Sequence, residues 1–66
     1  MIISDFVEWE LEKFRKECNF TDEELEFFNY RAQNISIEYI AEEMDISVSK
    51  ANQLSRKIKS KILKVI

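Results

Sequence analysis

Polar and basic side chains between Ser47 and Lys57 form the set best suited to hydrogen bonding and to binding anions. This segment contains hydroxyls, amides and cations but no acid. An amide side chain can make two hydrogen bonds to the edge of adenine, and a guanidinium can do the same with guanine. Hydroxyl and lysine side chains suit phosphate oxygens. We therefore predict seven DNA contacts: Ser47, Ser49, Lys50, Asn52, Gln53, Arg56 and Lys57.

Other kinds of site lack their essential residues. The sequence has no histidine and one cysteine, Cys18, so neither a Ser-His-Asp triad nor a zinc site is expected. The acids are expected on solvent-facing helix surfaces rather than paired in an apolar pocket. We therefore expect no enzyme activity, no metal and no cofactor. A lone cysteine favours a reducing compartment, and we expect Cys18 in the core rather than as a reactive thiol.

The charges are divided unevenly along the chain, whose net charge is −3. Residues 1–46 carry thirteen acids and four bases, a net −9, whereas residues 47–66 carry six bases and no acid. For nucleic-acid binding the position of a basic patch matters more than the total charge. A solvated amphipathic helix would also carry such bases. Their coincidence with the seven predicted contacts favours the DNA interpretation.

Helices joined by short turns must position these side chains. With 66 residues, no glycine and no proline, the sequence predicts one all-α domain, residues 1–66, of four helices. Start signals and apolar periodicity predict helices over 5–18, 22–33, 37–44 and from 48 to the end of the chain. Side-chain caps are expected at Asp5, Thr21, Ser36 and Ser47. Asn34 and Asp45 are expected in left-handed conformations after the second and third helices.

Apolar faces of the predicted helices indicate the core and one further surface. The first helix has an inner face of Ile3, Val7, Leu11, Phe14 and Cys18. The second should face inward with Leu25, Phe28 and Ala32, and the last with Ala51, Leu54, Ile58, Ile62 and Val65. A lysine flank on the last helix is expected to face phosphates: Lys50, Lys57, Lys61 and Lys64. A second patch on the first helix, Ile2, Phe6 and Trp9, fits either extra core packing or a homodimer seam.

Residues 36–58 follow the pattern of a helix-turn-helix. A short helix, a turn over Met44–Ser47 and a longer helix have the required lengths. Ala41 supplies a small side chain where the two helices must approach closely, and Ile46 fills the corner. In such a motif the second helix lies in the major groove, which is about 12 Å wide. We therefore expect residues 47–60 to form the recognition helix.

The segment from Phe20 to Lys61 resembles region 4 of bacterial sigma factors, and it is also similar to LuxR-type DNA-binding domains. The resemblance is carried by Phe20-Thr21-Asp22-Glu23-Glu24, Ser36-Ile37-Glu38-Tyr39-Ile40-Ala41 and Met44-Asp45-Ile46-Ser47. It implies a sigma region 4-like domain over residues 20–66, preceded by an accessory helix over 5–18. It also implies base-reading positions at Val48, Ser49, Asn52 and Gln53. The implied function is sequence-specific double-stranded DNA binding by a small bacterial or phage transcription regulator.

Two other functions stay open from the sequence. One is a protein-interaction module that docks on RNA polymerase or another regulator, and the other is a subunit of a phage DNA-packaging machine. Salt-sensitive DNA binding would separate the regulator from the interaction module, and sequence preference would separate it from the packaging subunit. The start of the sequence has neither a basic segment nor a long apolar run, so we expect a cytoplasmic protein without a membrane span.

Overall fold

Four α-helices make up most of the molecule. A computed structural model describes residues 2–66, in which a short 3-10 helix at Ile3–Asp5 precedes the four α-helices. These are α1 (Glu8–Glu17), α2 (Asp22–Ala32), α3 (Ile37–Glu43) and α4 (Val48–Val65). Residues 2–66 contain no strand, so the predicted all-α class is confirmed. Among the same residues, no helix combines the length and the apolar character that crossing a bilayer requires.

Side-chain caps begin α2, α3 and α4 at the predicted positions. The Thr21 hydroxyl accepts a hydrogen bond from the backbone N–H of Glu24 at 3.2 Å, and the Glu24 carboxylate accepts one from the N–H of Thr21 at 3.0 Å. The hydroxyls of Ser36 and Ser47 each accept from the N–H three residues later, at 3.2 and 3.0 Å. Each bond satisfies a donor that the first helical turn leaves without an intrahelical partner. The three predicted caps are confirmed.

A single residue with positive φ follows each of the first three α-helices. These residues are Asn19 (φ 53°), Asn34 (φ 60°) and Asp45 (φ 55°). Beyond Asp45, the N–H of Ile46 donates to the carbonyl of Ala41 at 2.9 Å, which is the closing bond of a Schellman motif. Asn and Asp tolerate this conformation better than most residues other than glycine, and the chain has no glycine. The predictions for Asn34 and Asp45 are confirmed, and Asn19 adds a third case.

The start of α1 differs from the prediction. Instead of a helix from Asp5, the chain makes the short 3-10 helix, and Val7 then adopts an extended conformation (φ −78°, ψ 165°) before α1 begins. The backbone N–H of Val7 donates to the carboxylate of Glu10 at 3.0 Å, so Glu10 rather than Asp5 supplies the cap. Because Val7 is extended, its side chain leaves the predicted inner face and is 53% exposed. The accessory helix therefore spans Glu8–Glu17 rather than residues 5–18.

One cluster of buried side chains joins the 3-10 helix and the four α-helices. Its members are Ile3, Leu11, Phe14, Cys18, Phe27, Phe28, Ile40, Ala41, Ala51, Leu54, Ile58 and Ile62. The predicted stripe on α4 is confirmed, although Val65 is only partly buried. The inner face predicted for α2 left out Phe27, which is as fully buried as Phe28. Two residues that were predicted to face inward, Leu25 and Ala32, are only half-buried. The reason is that α2 packs against three elements: the 3-10 helix, α3 and α4.

Arg15 connects α1 to α2. Its Nε donates to the side-chain carbonyl of Asn29 at 3.0 Å, and its guanidinium carbon lies 5.6 Å from the centre of the Phe28 ring. The other end of the guanidinium pairs with the carboxylates of Glu12 and Glu8 on α1 itself. α1 and α2 also both pack against α4.

Candidate nucleic-acid interface

The predicted DNA contacts lie on the solvent side of α4 and at its cap. Burial of an apolar residue every third or fourth position of α4 leaves the opposite face to water. Lys50 is half-buried, and the other six residues are exposed: Ser47, Ser49, Asn52, Gln53, Arg56 and Lys57. The structure thus brings all seven onto one helix and the residue that precedes it.

The beginning of α4 differs in charge from the beginnings of the other α-helices. Its first turn contains no acid, whereas the first turns of α1, α2 and α3 each contain at least one. Helix dipoles give a helix N-terminus a partial positive charge, which an acidic side chain in the first turn would offset. Ser47 satisfies one free N–H, and its own hydroxyl hydrogen is still available to donate. An anion is therefore better accommodated at this end of α4 than at the starts of the other α-helices in residues 2–66.

The six bases of α4 divide into paired and unpaired groups. Lys50 Nζ lies 3.6 Å from the carboxylate of Glu23, and Lys61 Nζ pairs with the carboxylate of Glu24. Within the described part of the chain, no carboxylate lies within 4.0 Å of the side-chain nitrogens of four others: Arg56, Lys57, Lys59 and Lys64. The unpaired bases begin at Arg56, the ninth of the 18 residues of α4, and continue to Lys64. The exposed side chains before Arg56 are neutral: Ser49, Asn52 and Gln53 are polar, and Val48 is apolar and 46% exposed.

The structure differs from the predicted lysine flank at Lys61. It reaches from α4 to the first turn of α2, where the Glu24 side chain is only 6% exposed, and it also donates to the backbone carbonyl of Asn19 at 3.4 Å. Burial acts to raise the pKa of Glu24, but hydrogen bonds from Lys61 and Thr21, with the lysine charge, hold that pKa below its ordinary value. In the structure Lys61 is thus engaged by an internal partner, unlike Lys57 and Lys64. The helical wheel placed it correctly on the flank but could not show that α2 covers that part of the flank.

Acidic side chains border the basic face of α4. Glu38, Glu42 and Glu43 are exposed on α3, and Asp45 is exposed in the turn before α4. The Glu43 carboxylate raises the pKa of the Tyr39 hydroxyl through a hydrogen bond and through its charge. The sign of the surface charge therefore changes between α3 and α4. Any polyanion that approaches α4 is repelled on the α3 side, over the Debye length of about 8 Å at physiological salt.

The apolar patch predicted from Ile2, Phe6 and Trp9 is rearranged, because Ile2 and Phe6 precede α1 rather than lying on it. Phe6 is half-buried and packs edge-on against Phe14, with 4.9 Å between the ring centres, which confirms extra core packing for this residue. Trp9 is 68% exposed and Ile2 is 55% exposed. Phe6 and Trp9 line one groove of about 260 Å³, in which Ile2 takes no part.

A concavity of about 590 Å³ lies between α1 and α2. Its charged lining consists of Glu8, Glu12 and Arg15, and Arg15 already pairs with both carboxylates. In residues 2–66, no group of three or more acidic, cysteine or histidine side chains is arranged to hold a metal ion. Comparison with known proteins found no matching family model, no matching characterised sequence and no matching solved structure.

Proposed function

We propose that the protein binds double-stranded DNA through α4, with α3 and α4 acting as a helix-turn-helix. The observation that carries this proposal is the order of exposed side chains along α4: neutral groups, polar except for Val48, come first and unpaired bases follow from Arg56 onward, with no acid anywhere on the helix. An ordinary amphipathic helix needs no such order. A recognition helix does, because its first half meets base edges while its second half runs out toward the backbone.

The proposed base contacts come from the first half of α4. Asn52 and Gln53 carry amides that suit the N6 and N7 atoms of adenine, and Arg56, one turn further along, suits guanine or a phosphate. Ser47 and Ser49 lie at the acid-free start of α4, where a phosphate oxygen would gain from the helix dipole. Asn52, Gln53 and Arg56 would determine which sequence is bound, whereas Ser47 and Ser49 would position the helix on the DNA backbone.

The proposed backbone contacts come from the unpaired bases. Lys57 and Lys64 are exposed, so each can neutralise a phosphate without first breaking an ion pair. Lys50 must give up its 3.6 Å pair with Glu23 to do the same. Because that pair is nearly half exposed on both sides, its loss costs at most about 1 kcal/mol. Lys50 therefore remains a proposed contact, whereas Lys61 does not.

The proposed role is that of a small transcription regulator in the cytoplasm of a bacterium or in phage infection, as the resemblance to sigma factor region 4 implies. A role in docking on RNA polymerase or another regulator is favoured by a different observation. The exposed acids of α3 repel DNA, and the same acids would attract a basic protein surface. The experiment below separates the two.

The test is a fluorescence-anisotropy titration with a pool of random duplexes at two salt concentrations, followed by sequencing of the bound fraction. We expect binding that weakens with salt, and an enriched motif. Absence of binding at low salt would refute the DNA proposal and favour the docking role. Equal recovery of all sequences would indicate a packaging-type role.

Two variants test the division of labour along α4. Gln53→Ala should reduce discrimination between the enriched motif and its mismatched forms by about 1–3 kcal/mol. Lys57→Ala should weaken binding to all sequences alike and reduce the salt slope by about one unit. Lys16→Ala is the matched control, because Lys16 is an exposed lysine on α1, away from the proposed interface. A lysine control that changes the slope as much as Lys57→Ala would contradict the proposed contact surface.

A further inference from the structure

A groove between α1 and the end of α4 exposes apolar side chains. Trp9 is 68% exposed and Ile66 is 72% exposed, and they line the groove with Phe6, Phe14 and Val65. The proposed function in DNA binding uses none of these residues. Tryptophan is enriched among the residues that contribute most to the binding energy of interfaces, so an exposed Trp9 beside an apolar cleft is a candidate contact for a partner.

The rim of this groove carries one charge of each sign. Glu10 and Lys13 both line it, and they lie one turn apart on α1. One oxygen of Glu10 accepts the backbone N–H of Val7, and the other is available. Lys13 is 4.0 Å from the carboxylate of Glu17, in a pair that is about half exposed on both sides and therefore easily rearranged.

We propose that the groove is occupied by the same groove of a second copy of the chain. In a two-fold interface, a residue i that contacts j of the partner implies that j contacts i. Two antiparallel α1 helices would therefore place Glu10 of each copy beside Lys13 of the other, with the two Trp9 rings covering the apolar floor. A partner of a single charge sign, or an anionic membrane, would be matched by a rim of one sign. The rim of opposite charges fits a copy of itself.

The position of the groove suits a two-fold DNA binder, an argument that rests on the proposed function. The 18 residues of α4 make a helix about 27 Å long, and Gln53 lies about 18 Å from Val65 along its axis. Two copies that meet at the ends of α4 can therefore hold their Gln53 side chains at most about 36 Å apart (twice 18 Å), when the two helices are collinear. The separation of half-sites on one face of DNA, about 34–36 Å, falls within that reach.

The first test measures self-association without DNA. Trp9 is the only tryptophan, so its fluorescence reports on the proposed interface directly. We expect sedimentation equilibrium of the whole chain to show a monomer–dimer equilibrium, with the Trp9 emission shifting to the red and becoming more easily quenched by acrylamide on dilution. Trp9→Ala should weaken dimerisation by more than about tenfold. Tyr39→Ala is the matched control, because Tyr39 is an aromatic residue on α3 that is 50% exposed and does not line the groove.

The second test exchanges the charges of the rim. Glu10→Lys and Lys13→Glu should each weaken self-association, because each brings like charges together across the two-fold axis. An equal mixture of the two variants should form the heterodimer, in which both pairs are opposite again. Helicity and thermal unfolding are recorded for each variant, because Glu10→Lys also removes the cap on Val7.

Three outcomes would overturn the proposal: a chain that stays monomeric at millimolar concentration, a Trp9→Ala chain that dimerises like the original, or a mixture that associates no better than either charge variant. Each is independent of DNA binding. A dimer that binds no DNA would refute the proposed function alone. A DNA-binding chain that never dimerises would refute this inference alone.

Discussion

The pair between Lys61 and Glu24 provides the sharpest test of how the fold is held together. Replacing Lys61 with Met keeps the length of the side chain but leaves a carboxylate that is 6% exposed without its cation. Breaking a fully buried pair costs about 3–5 kcal/mol. Lys61 is 31% exposed, so water can partly replace it, and we expect a loss of about 2–3 kcal/mol. A 66-residue domain has only about 3–10 kcal/mol in total.

The assay is unfolding by heat and by urea, with circular dichroism as the measure of the folded fraction. The expected loss corresponds to a fall of roughly 10–20 °C in the unfolding midpoint. Glu24→Gln should cost less, about 1 kcal/mol, because Gln still completes the capping box with Thr21 and leaves Lys61 partly in water. Lys57→Met is the control, since Lys57 is exposed on the same helix and should change stability by less than about 0.5 kcal/mol. Equal losses for Lys61→Met and Lys57→Met would refute the reasoning.

The same pair predicts an effect of pH with a definite sign. The pKa of Glu24 is lowered in the folded protein, so its stabilising effect is complete above the unfolded value of about 4.3 and is lost as the pH falls through the lower folded value. In Lys61→Met, burial should instead raise that pKa, because the charged form has lost its cation. The gap in stability between the two proteins should therefore narrow as the pH falls from neutral. A constant gap would show that Glu24 is not the responsible group.

Three further predictions concern single buried or strained positions. Asp45→Gly should raise the free energy of unfolding by about 0.5–1 kcal/mol, because glycine adopts a φ of 55° without steric cost; a loss in urea unfolding would contradict this. Ala41→Leu should lower the free energy of unfolding by about 1–3 kcal/mol, because Ala41 is 4% exposed where α3 packs on α4. An unchanged urea midpoint would show that the larger side chain fits between the two helices. Burial, and secondarily the charge of Glu17, raise the pKa of the Cys18 thiol, so a thiol reagent at neutral pH should label Cys18 only when the chain opens; rapid labelling of the folded protein would argue against its buried position.

Local signals allowed most of the helix boundaries to be predicted. Thr21, Ser36 and Ser47 each precede an apolar periodic run, and the cap that each makes involves only residues three positions away. Asn34 and Asp45 end α2 and α3 for an equally local reason. The exposure of α4's polar face follows from periodicity alone, which is why the predicted contacts of α4 all reach solvent.

The differences from the prediction arise where two local signals compete or where distant residues meet. Both Asp5 and Glu10 can cap a helix start, and the later start allows Glu10 to accept from Val7 while Ile3 is buried in the core. Glu24 was correctly predicted as a capping residue, but its partner Lys61 is 37 positions away and no periodic pattern indicates it. The groove at Trp9 likewise depends on α4 ending beside α1, which neither helix encodes by itself.

The three connections between the α-helices have a consequence for folding kinetics. Each connection contains four residues and includes one residue with positive φ. Closing such short loops costs little conformational entropy. Small helical proteins, whose contacts are mostly between residues close in sequence, fold in microseconds to milliseconds. Among the ion pairs of the structure, the pair of Glu24 and Lys61 joins the residues that lie farthest apart in the sequence. We expect this pair to form after the rate-limiting step of folding. We therefore expect Lys61→Met to accelerate unfolding while leaving the refolding rate almost unchanged.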